Sequence, residues 1–463
     1  MKRYVRHITV FLSPFFLNAC ANFSAGNLFS HYSAQNGAVY QSVKSGQYQD
    51  AENELAEFVA GDILDNLEKG RVHFLNQNYV DSKRSFELSD SAVKIQQDKA
   101  LISLSDTATS VGALAVNDNL MEYVPADYEL GFLHLYLGLN YLQQNDLDGA
   151  LVEVRRANQV QEQARQAREA ELEKAQKELK SQGVTPNLGS VLANYPDAGK
   201  ALQAVQNGYL FYLSALLYEA SGDVNSAYVD YRRALAVTPD NIEVIEGTLR
   251  VAKRLGMRED LIQLEKRYGK SHSLTASQGR VLIIEEQSVV KALDSWRQSL
   301  PLYDSRGNGA LYSLALPYYP NTPVESFSSL TMNDKVLTSH FLTDVNLMAS
   351  RNLSEKMPSI VIRQVLRVLA KDQLRKEAAK DDNVGNLVFN VWNLLTEQPD
   401  TRSWLTLPGL VQTASLQVNA GEQRIKVGEQ EYQFSVPEKG TTLVWVSRQG
   451  RHSTIWHKQL GRL

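Results

Sequence analysis

The chain has a single cysteine among its 463 residues, at position 20. A disulfide needs two thiols, so no intramolecular bridge staples this fold, and a cysteine-rich metal site is excluded with it. No stretch of about 18 or more apolar residues follows the N-terminus, which excludes a membrane-spanning helix from the body. A large basic block is also missing. Formal charge is −4, and −7 once Lys2, Arg3 and Arg6 are set aside, whereas nucleic-acid phosphates demand clustered lysine and arginine. His-Glu-x-x-His, Gly-x-Ser-x-Gly and Gly-x-x-x-x-Gly-Lys-Ser/Thr do not occur. The sequence therefore points to no catalytic residue, cofactor, metal or small-molecule substrate. The carboxylate pairs Glu285-Glu286 and Asp381-Asp382 are adjacent, so on a strand or helix they diverge. A glycosidase-like pair drawn from distant positions stays open.

The N-terminus has a definite layout. Lys2, Arg3 and Arg6 precede an apolar run from Ile8 to Leu17, and small residues follow. That is the pattern of a secretory signal, too short to span a bilayer. Leu17-Asn18-Ala19-Cys20 resembles the bacterial lipobox, in which the cysteine thiol is acylated (palmitate among the chains) and becomes the first mature residue. Ala19 supplies the small residue at the cleaved bond, while Asn18 departs from the usual Ala, Ser or Thr. The alternative is an ordinary signal with an incidental cysteine. Several acyl chains anchor stably at ~0.8 kcal/mol per buried methylene. Ala21 stands where lipoproteins retained at the inner membrane typically carry Asp, so the resemblance implies the outer membrane, periplasmic face. Residues 1–20 are thus read as a signal with lipobox, and 21–35 as a tether.

Self-similarity organises the next 235 residues, 36–270. Tetratricopeptide units of about 34 residues pair two antiparallel helices, with small residues where the helices cross. Residues 208–241 place Ala215, Tyr218, Ala227, Tyr231, Ala234 and Pro239 at the expected positions. Gly222-Asp223 makes the turn, and Pro239, lacking an amide donor, stops the second helix. Residues 131–164 supply Leu137-Gly138, Tyr141, Ala150, Val154 and Ala157; residues 63–96 supply Gly70, His73, Tyr79, Phe86 and Ser89. Weaker halves lie at 36–59 and 242–269. Such units stack into a right-handed array. The insertion at 158–182 is rich in strong helix formers, with Glu173 and Lys177 ordered as an i,i+4 pair. It reads as an overrunning solvated helix ended by Gly183 and Pro186, or alternatively as a partner-contacting arm. His73 and His134 read as packed residues rather than metal ligands.

After residue 275 the pattern becomes strand-like. Val281-Leu282-Ile283-Ile284 is a continuous apolar run, and Leu311 to Leu316 precedes a Pro/Tyr-rich turn. Helix returns at about 354–398. Alternation then marks Arg424 to Val427, Tyr432 to Val436 and Thr441 to Ser447, separated by Gly428 and Gly440. The expected fold is mainly α, a tetratricopeptide-like array, followed by a smaller α+β domain (276–463) with an antiparallel β-sandwich.

Two groups of residues stand out as candidate sites. The inner side of the first helix of each repeat would face a concave groove: Leu67, Arg71 and Phe74; Leu135, Leu139 and Leu142; Tyr209, Tyr212 and Glu219. They are the expected contacts of a protein partner. Asp400, Arg402, Trp404 and Pro408 form the second group, with Asp400 paired to Arg402 and Trp404 packed beneath. They make either a small recognition site or, preferably, a buried latch between helix and sandwich.

From about residue 40 the chain resembles a family of bacterial lipoproteins with tetratricopeptide repeats. The resemblance is carried by Asn117-Asp118, Tyr123 to Glu129, Ala150 to Asn158, Tyr212 to Ala220, Ala315-Leu316-Pro317 and, most specifically, Asp400 to Pro408. The chain departs from it where a Gly-Pro turn is expected and Glu286-Gln287-Ser288-Val289-Val290 stands. The resemblance implies no activity. It does imply a place in envelope biogenesis, near small lipoproteins that resemble activators of peptidoglycan synthases. A scaffold or adaptor for another envelope protein follows. The alternatives are a regulatory subunit or enzyme of peptidoglycan metabolism, and a structural subunit of a surface or secretion assembly.

Overall fold

The computed structural model describes residues 31–56, 59–103, 121–181, 205–303, 309–323, 325–378 and 399–463. The signal segment, Cys20 and most of the tether lie outside the described residues. So do Asn117-Asp118, Gly183, Pro186, Asp381-Asp382 and the end of the 354–398 stretch.

Among the described residues, a short helix α1 (Tyr32–Gln35) leads into five helical hairpins. These are α2 (Gly37–Lys44) with α3 (Tyr48–Asn53), α4 (Asp62–Leu75) with α5 (Tyr79–Ser103), α6 (Asp127–Gln143) with α7 (Leu147–Ser181), α8 (Gly208–Ser221) with α9 (Val224–Val237), and α10 (Ile242–Arg254) with α11 (Arg258–Tyr268). Small residues let the helices approach. A Cβ on Gly70 would come within 2.6 Å of the Phe86 ring, and one on Gly247 within 2.3 Å of Tyr231. Helix starts are fixed by polar caps: the side chains of Asn207, Asp223 and Asn241 accept from the amides of Leu210, Ser226 and Val244. Gly222, at φ 86°, closes α8 in the left-handed conformation. The insertion at 158–182 continues α7 as one uninterrupted helix to Ser181.

The C-terminal part departs from the expected antiparallel sandwich. Its main sheet is mixed, ordered β11-β10-β1-β7-β6, from β1 (Gln278–Gln287), β6 (His340–Asp344), β7 (Leu410–Asn419), β10 (Thr441–Gln449) and β11 (His452–Gly461). Strands β1 and β10 are parallel, Arg280 opposite Thr441 through Gln287 opposite Arg448. Parallel neighbours need a crossover, and here the chain from Gln287 to Thr441 serves as one. A second sheet, β5-β4-β8-β9, is formed by β4 (Thr331–Met332), β5 (Lys335–Val336), β8 (Gly421–Val427) and β9 (Gln430–Val436). The hairpin of β2 (Asp294–Tyr303) and β3 (Gly309–Tyr318) stands apart from both. Its Leu314 and Leu316 pack on α12 (Val345–Ala378) through Met357, Val361 and Val365. The helix predicted from 354 thus starts at Val345, nine residues earlier.

The run Val281 to Ile284 is buried on both faces, which accounts for its unbroken hydrophobicity. Val281 and Ile283 join Val444, Val446, Ile425 and Phe434 between the sheets. Leu282 and Ile284 face the opposite way, with Leu443 and Trp445, and share one core with the helical array.

Candidate functional site

That shared core corrects the expected partner groove. Leu67, Arg71, Phe74, Leu135, Leu139, Leu142, Tyr209, Tyr212 and Glu219 are all buried, none more than 3% exposed. The inner face of the array is filled by the chain's own main sheet. Trp445 of β10 sits edge-on to Phe74, ring centroids 5.2 Å apart, and its indole N–H donates to the Tyr209 hydroxyl at 2.9 Å. Glu219 accepts from Arg250 at 2.7 and 2.8 Å and from Tyr231 at 2.9 Å.

Polar groups trapped at this junction pair across it, although Arg71 Nη1 is left without a hydrogen-bond partner. Arg71 Nη2 lies 2.6 Å from Glu286 Oε2 and 3.1 Å from Ser447 Oγ, while its Nε donates to the Thr406 carbonyl. Its guanidinium carbon lies 4.5 Å from the Tyr136 ring centroid, and the Tyr136 hydroxyl donates to Glu286. Glu285, one residue earlier, points to the other face and accepts from Arg448 at 2.8 Å. The two adjacent carboxylates diverge as the strand dictates.

The Asp400–Pro408 segment lies in the same junction. Asp400 and Arg402 pair at 2.8 Å; burial alone would raise the Asp400 pKa, but Arg402 holds it below the usual carboxylate range. Trp404 and Pro408 are buried. Glu129 of α6 accepts from the Trp404 amide at 2.8 Å. Glu68 of α4 accepts from the Leu405 amide, the Thr406 amide and hydroxyl, and the Tyr32 hydroxyl. Burial pushes the Glu68 carboxyl up to about 7 despite these donors. Two helices of the array thus grip this segment by its backbone.

At the departure from the family pattern, Ser288 occupies the left-handed region, φ 57°, where glycine is favoured. His134 Nδ1 lies 2.7 Å from Glu153, and His73 Nδ1 lies 2.6 Å from Glu52. Among the described residues no group of three or more His, Cys, Asp or Glu is placed to hold a metal ion.

An open surface does exist, and the sequence did not single it out. Between α7 and the α8–α9 hairpin runs a groove of about 410 Å³, and none of its lining residues belongs to the sheets. Arg155 donates to the Tyr218 hydroxyl at 2.9 Å and lies over its ring; Arg233 lies over Phe211 and bonds Asp230 at 3.2 Å. Burial raises the Asp230 pKa, and Ser214 donates to it at 2.6 Å. On the groove floor, Asn158 Oδ1 and both terminal atoms of Gln161 are buried without a hydrogen-bond partner. Val229 on the rim is 49% exposed. Of these residues Arg155, Asn158, Ser214 and Tyr218 fall within segments carrying the family resemblance, while Gln161, Val229, Asp230 and Arg233 do not. Amides on a helix surface give no signal until their neighbours are known.

Comparison with family models and with curated proteins finds no match. Among solved structures, one titled "Crystal structure of MamA protein" is 10% identical over 52% of this chain and 98% of its own, with a TM-score of 0.27. A second MamA structure, AMB-1, is 13% identical over 51% of this chain and 88% of its own, TM-score 0.28. The TPR2AB-domain:pHSP90 complex of yeast Sti1 is 10% identical over 51% of this chain and 88% of its own, TM-score 0.18. At such scores the likeness carries no argument. The class is defined by the chain's own geometry: a tetratricopeptide-like array, five helical hairpins among the described residues, whose inner face holds a β-rich domain.

Proposed function

We propose that this chain is a lipid-anchored protein-binding scaffold in cell-envelope biogenesis. It is held by Cys20 at the periplasmic face of the outer membrane and receives an extended segment of another envelope protein in the α7–α9 groove. The observation that carries this reading is the polar groove floor. A peptide backbone offers one N–H donor and one C=O acceptor per residue, the complement of what Asn158 and Gln161 leave unpaired. The flanking guanidiniums, stacked on Tyr218 and Phe211, suit an acidic or carboxylate-bearing segment. The inner face, already filled by the sheet, is not offered. Cys20 lies eleven residues before His31, so the folded head stands within about 40 Å of its anchor.

The test is a crosslinking pull-down of tagged, lipidated protein from cell envelopes, beside two variants, Cys20→Ser and Asn158→Ala/Gln161→Ala/Arg233→Glu. One dominant periplasmic or outer-membrane partner, lost from both variants, supports an anchored scaffold that works through this groove. An unchanged set of proteins in the groove variant, with its fold intact by circular dichroism, removes the reading.

A further inference from the structure

Where the last hairpin meets the sheet, α10, β1 and β7 enclose a cavity of about 260 Å³. Arg280 of β1 lines it and is only 8% exposed. Its guanidinium makes no hydrogen bond or ion pair among the described residues, and Nη1 is buried without a partner. Arginine does not shed its proton in a protein, and an unpaired buried charge opposes folding. Burial, with the neighbouring Arg250, weighs against the charged form of Arg280 more than Tyr231, Glu219 and Glu246 favour it. Arg250, which also lines the cavity, commits its Nε and Nη2 to Glu219.

The two carboxylates in the wall are themselves occupied. Glu243 accepts from Thr413 at 2.9 Å, Ser415 at 2.9 Å and His340 at 3.0 Å. Glu246 accepts from the ring Nδ1 of His272 at 2.8 Å and from its backbone amide at 3.2 Å. Tyr212 lines the same cavity, and its hydroxyl has no hydrogen-bond partner among the described residues. A charged donor and a neutral donor therefore border one small enclosure with nothing to accept from them.

We propose that this cavity binds an oxyanion, the carboxylate or phosphate group of a small ligand, with Arg280 as its charged partner and the Tyr212 hydroxyl donating beside it. The site shares no lining residue with the α7–α9 groove and does not depend on the function assigned to that groove. An oxyanion presents the acceptors that the guanidinium lacks, and water alone supplies no compensating charge.

Isothermal titration of the full chain in chloride buffer at fixed ionic strength tests it, with inorganic phosphate in one arm and acetate in the other. The parent binds at least one of them, and which one gives heat tells phosphate from carboxylate. Arg280→Met loses that heat, and its melting midpoint in chloride is at or above the parent's because an unpaired buried charge is gone. Lys253→Gln, which removes a charge from the exposed side of α10, binds as the parent does. Tyr212→Phe weakens binding about fivefold, the worth of one hydrogen bond, and reports on the site even if Arg280→Met fails to fold. The proposal is overturned if neither anion binds the parent. Full affinity in Tyr212→Phe overturns it as well, and so does loss of binding in Lys253→Gln equal to that in Arg280→Met.

Discussion

Arg71 on α4 and Glu286 on β1 stand 215 residues apart in the chain and form a 2.6 Å ion pair with both side chains fully buried. The pair ties the first well-formed repeat to the central strand of the main sheet. Removing one partner leaves a buried charge unmatched. Arg71→Met should therefore destabilise the fold by about 3–5 kcal/mol, and Arg71→Met/Glu286→Leu should recover much of that loss. Urea unfolding of the two variants beside the parent measures both terms. Equal losses in the single and double variants would mean the junction depends on packing alone.

Glu68 makes stability depend on pH. Its folded pKa, about 7, lies above the ordinary 4.5 because burial outweighs the donors around it. The protonated form therefore favours the folded state. This contribution is complete below about pH 4.5 and is lost as pH rises through 7, on the order of 3 kcal/mol in all. Glu68→Gln is neutral throughout and should flatten that part of the profile. Unfolding free energies at pH 5 and pH 8 decide it, since the parent falls between them more than the variant does.

Gly70 sets the spacing of α4 against α5. Gly70→Ala gains about 1 kcal/mol of helix propensity but drives a methyl into the Phe86 ring, an overpacking that costs about 1–3 kcal/mol. A net fall in melting temperature is expected, with partial recovery in Gly70→Ala/Phe86→Leu. A rise in the single variant would show that the helices can separate freely.

The array should not stand alone. Without residues 276–463, the apolar side chains of Phe74, Tyr136, Tyr209 and Leu282's other neighbours in the shared core lose their cover. The fragment 31–275 should bind a hydrophobic dye and unfold without a sharp transition. A cooperative melt near the parent's temperature would contradict this.

Much of the architecture was legible in the sequence, and the reasons are physical. Gly70, Gly138, Ala215 and Ala227 mark helix crossings because a larger side chain would not fit, so the spacing of the repeats reads directly. The continuous apolar run at Val281 to Ile284 reads as a strand, and its burial on both faces is the reason the run is unbroken. What covered those faces was not legible. Leu67, Phe74 and Tyr209 look the same whether an inner groove awaits a partner or is already filled by the chain's own sheet. The pairing of β1 with β10 joins segments 150 and more residues apart, and no local pattern encodes it. Arg280 reads from sequence as an ordinary polar residue beginning a strand. Only the absence of a hydrogen-bond or ion-pair partner for its guanidinium among the described residues distinguishes it.

With the array's inner face closed by the chain's own sheet, array and sheet should behave as one cooperative unit. Native-state hydrogen exchange along a denaturant series tests it most directly. Amides of α4 from Leu67 to Phe74, of α8 from Tyr209 to Leu217, and of β1 and β10 from Val281 to Glu286 and Leu443 to Val446 should open together, at one free energy equal to that of global unfolding. If the sheet amides stay protected while those of α4 and α8 open at a distinctly lower free energy, the inner face is released in the native state, and the account of a closed groove is contradicted.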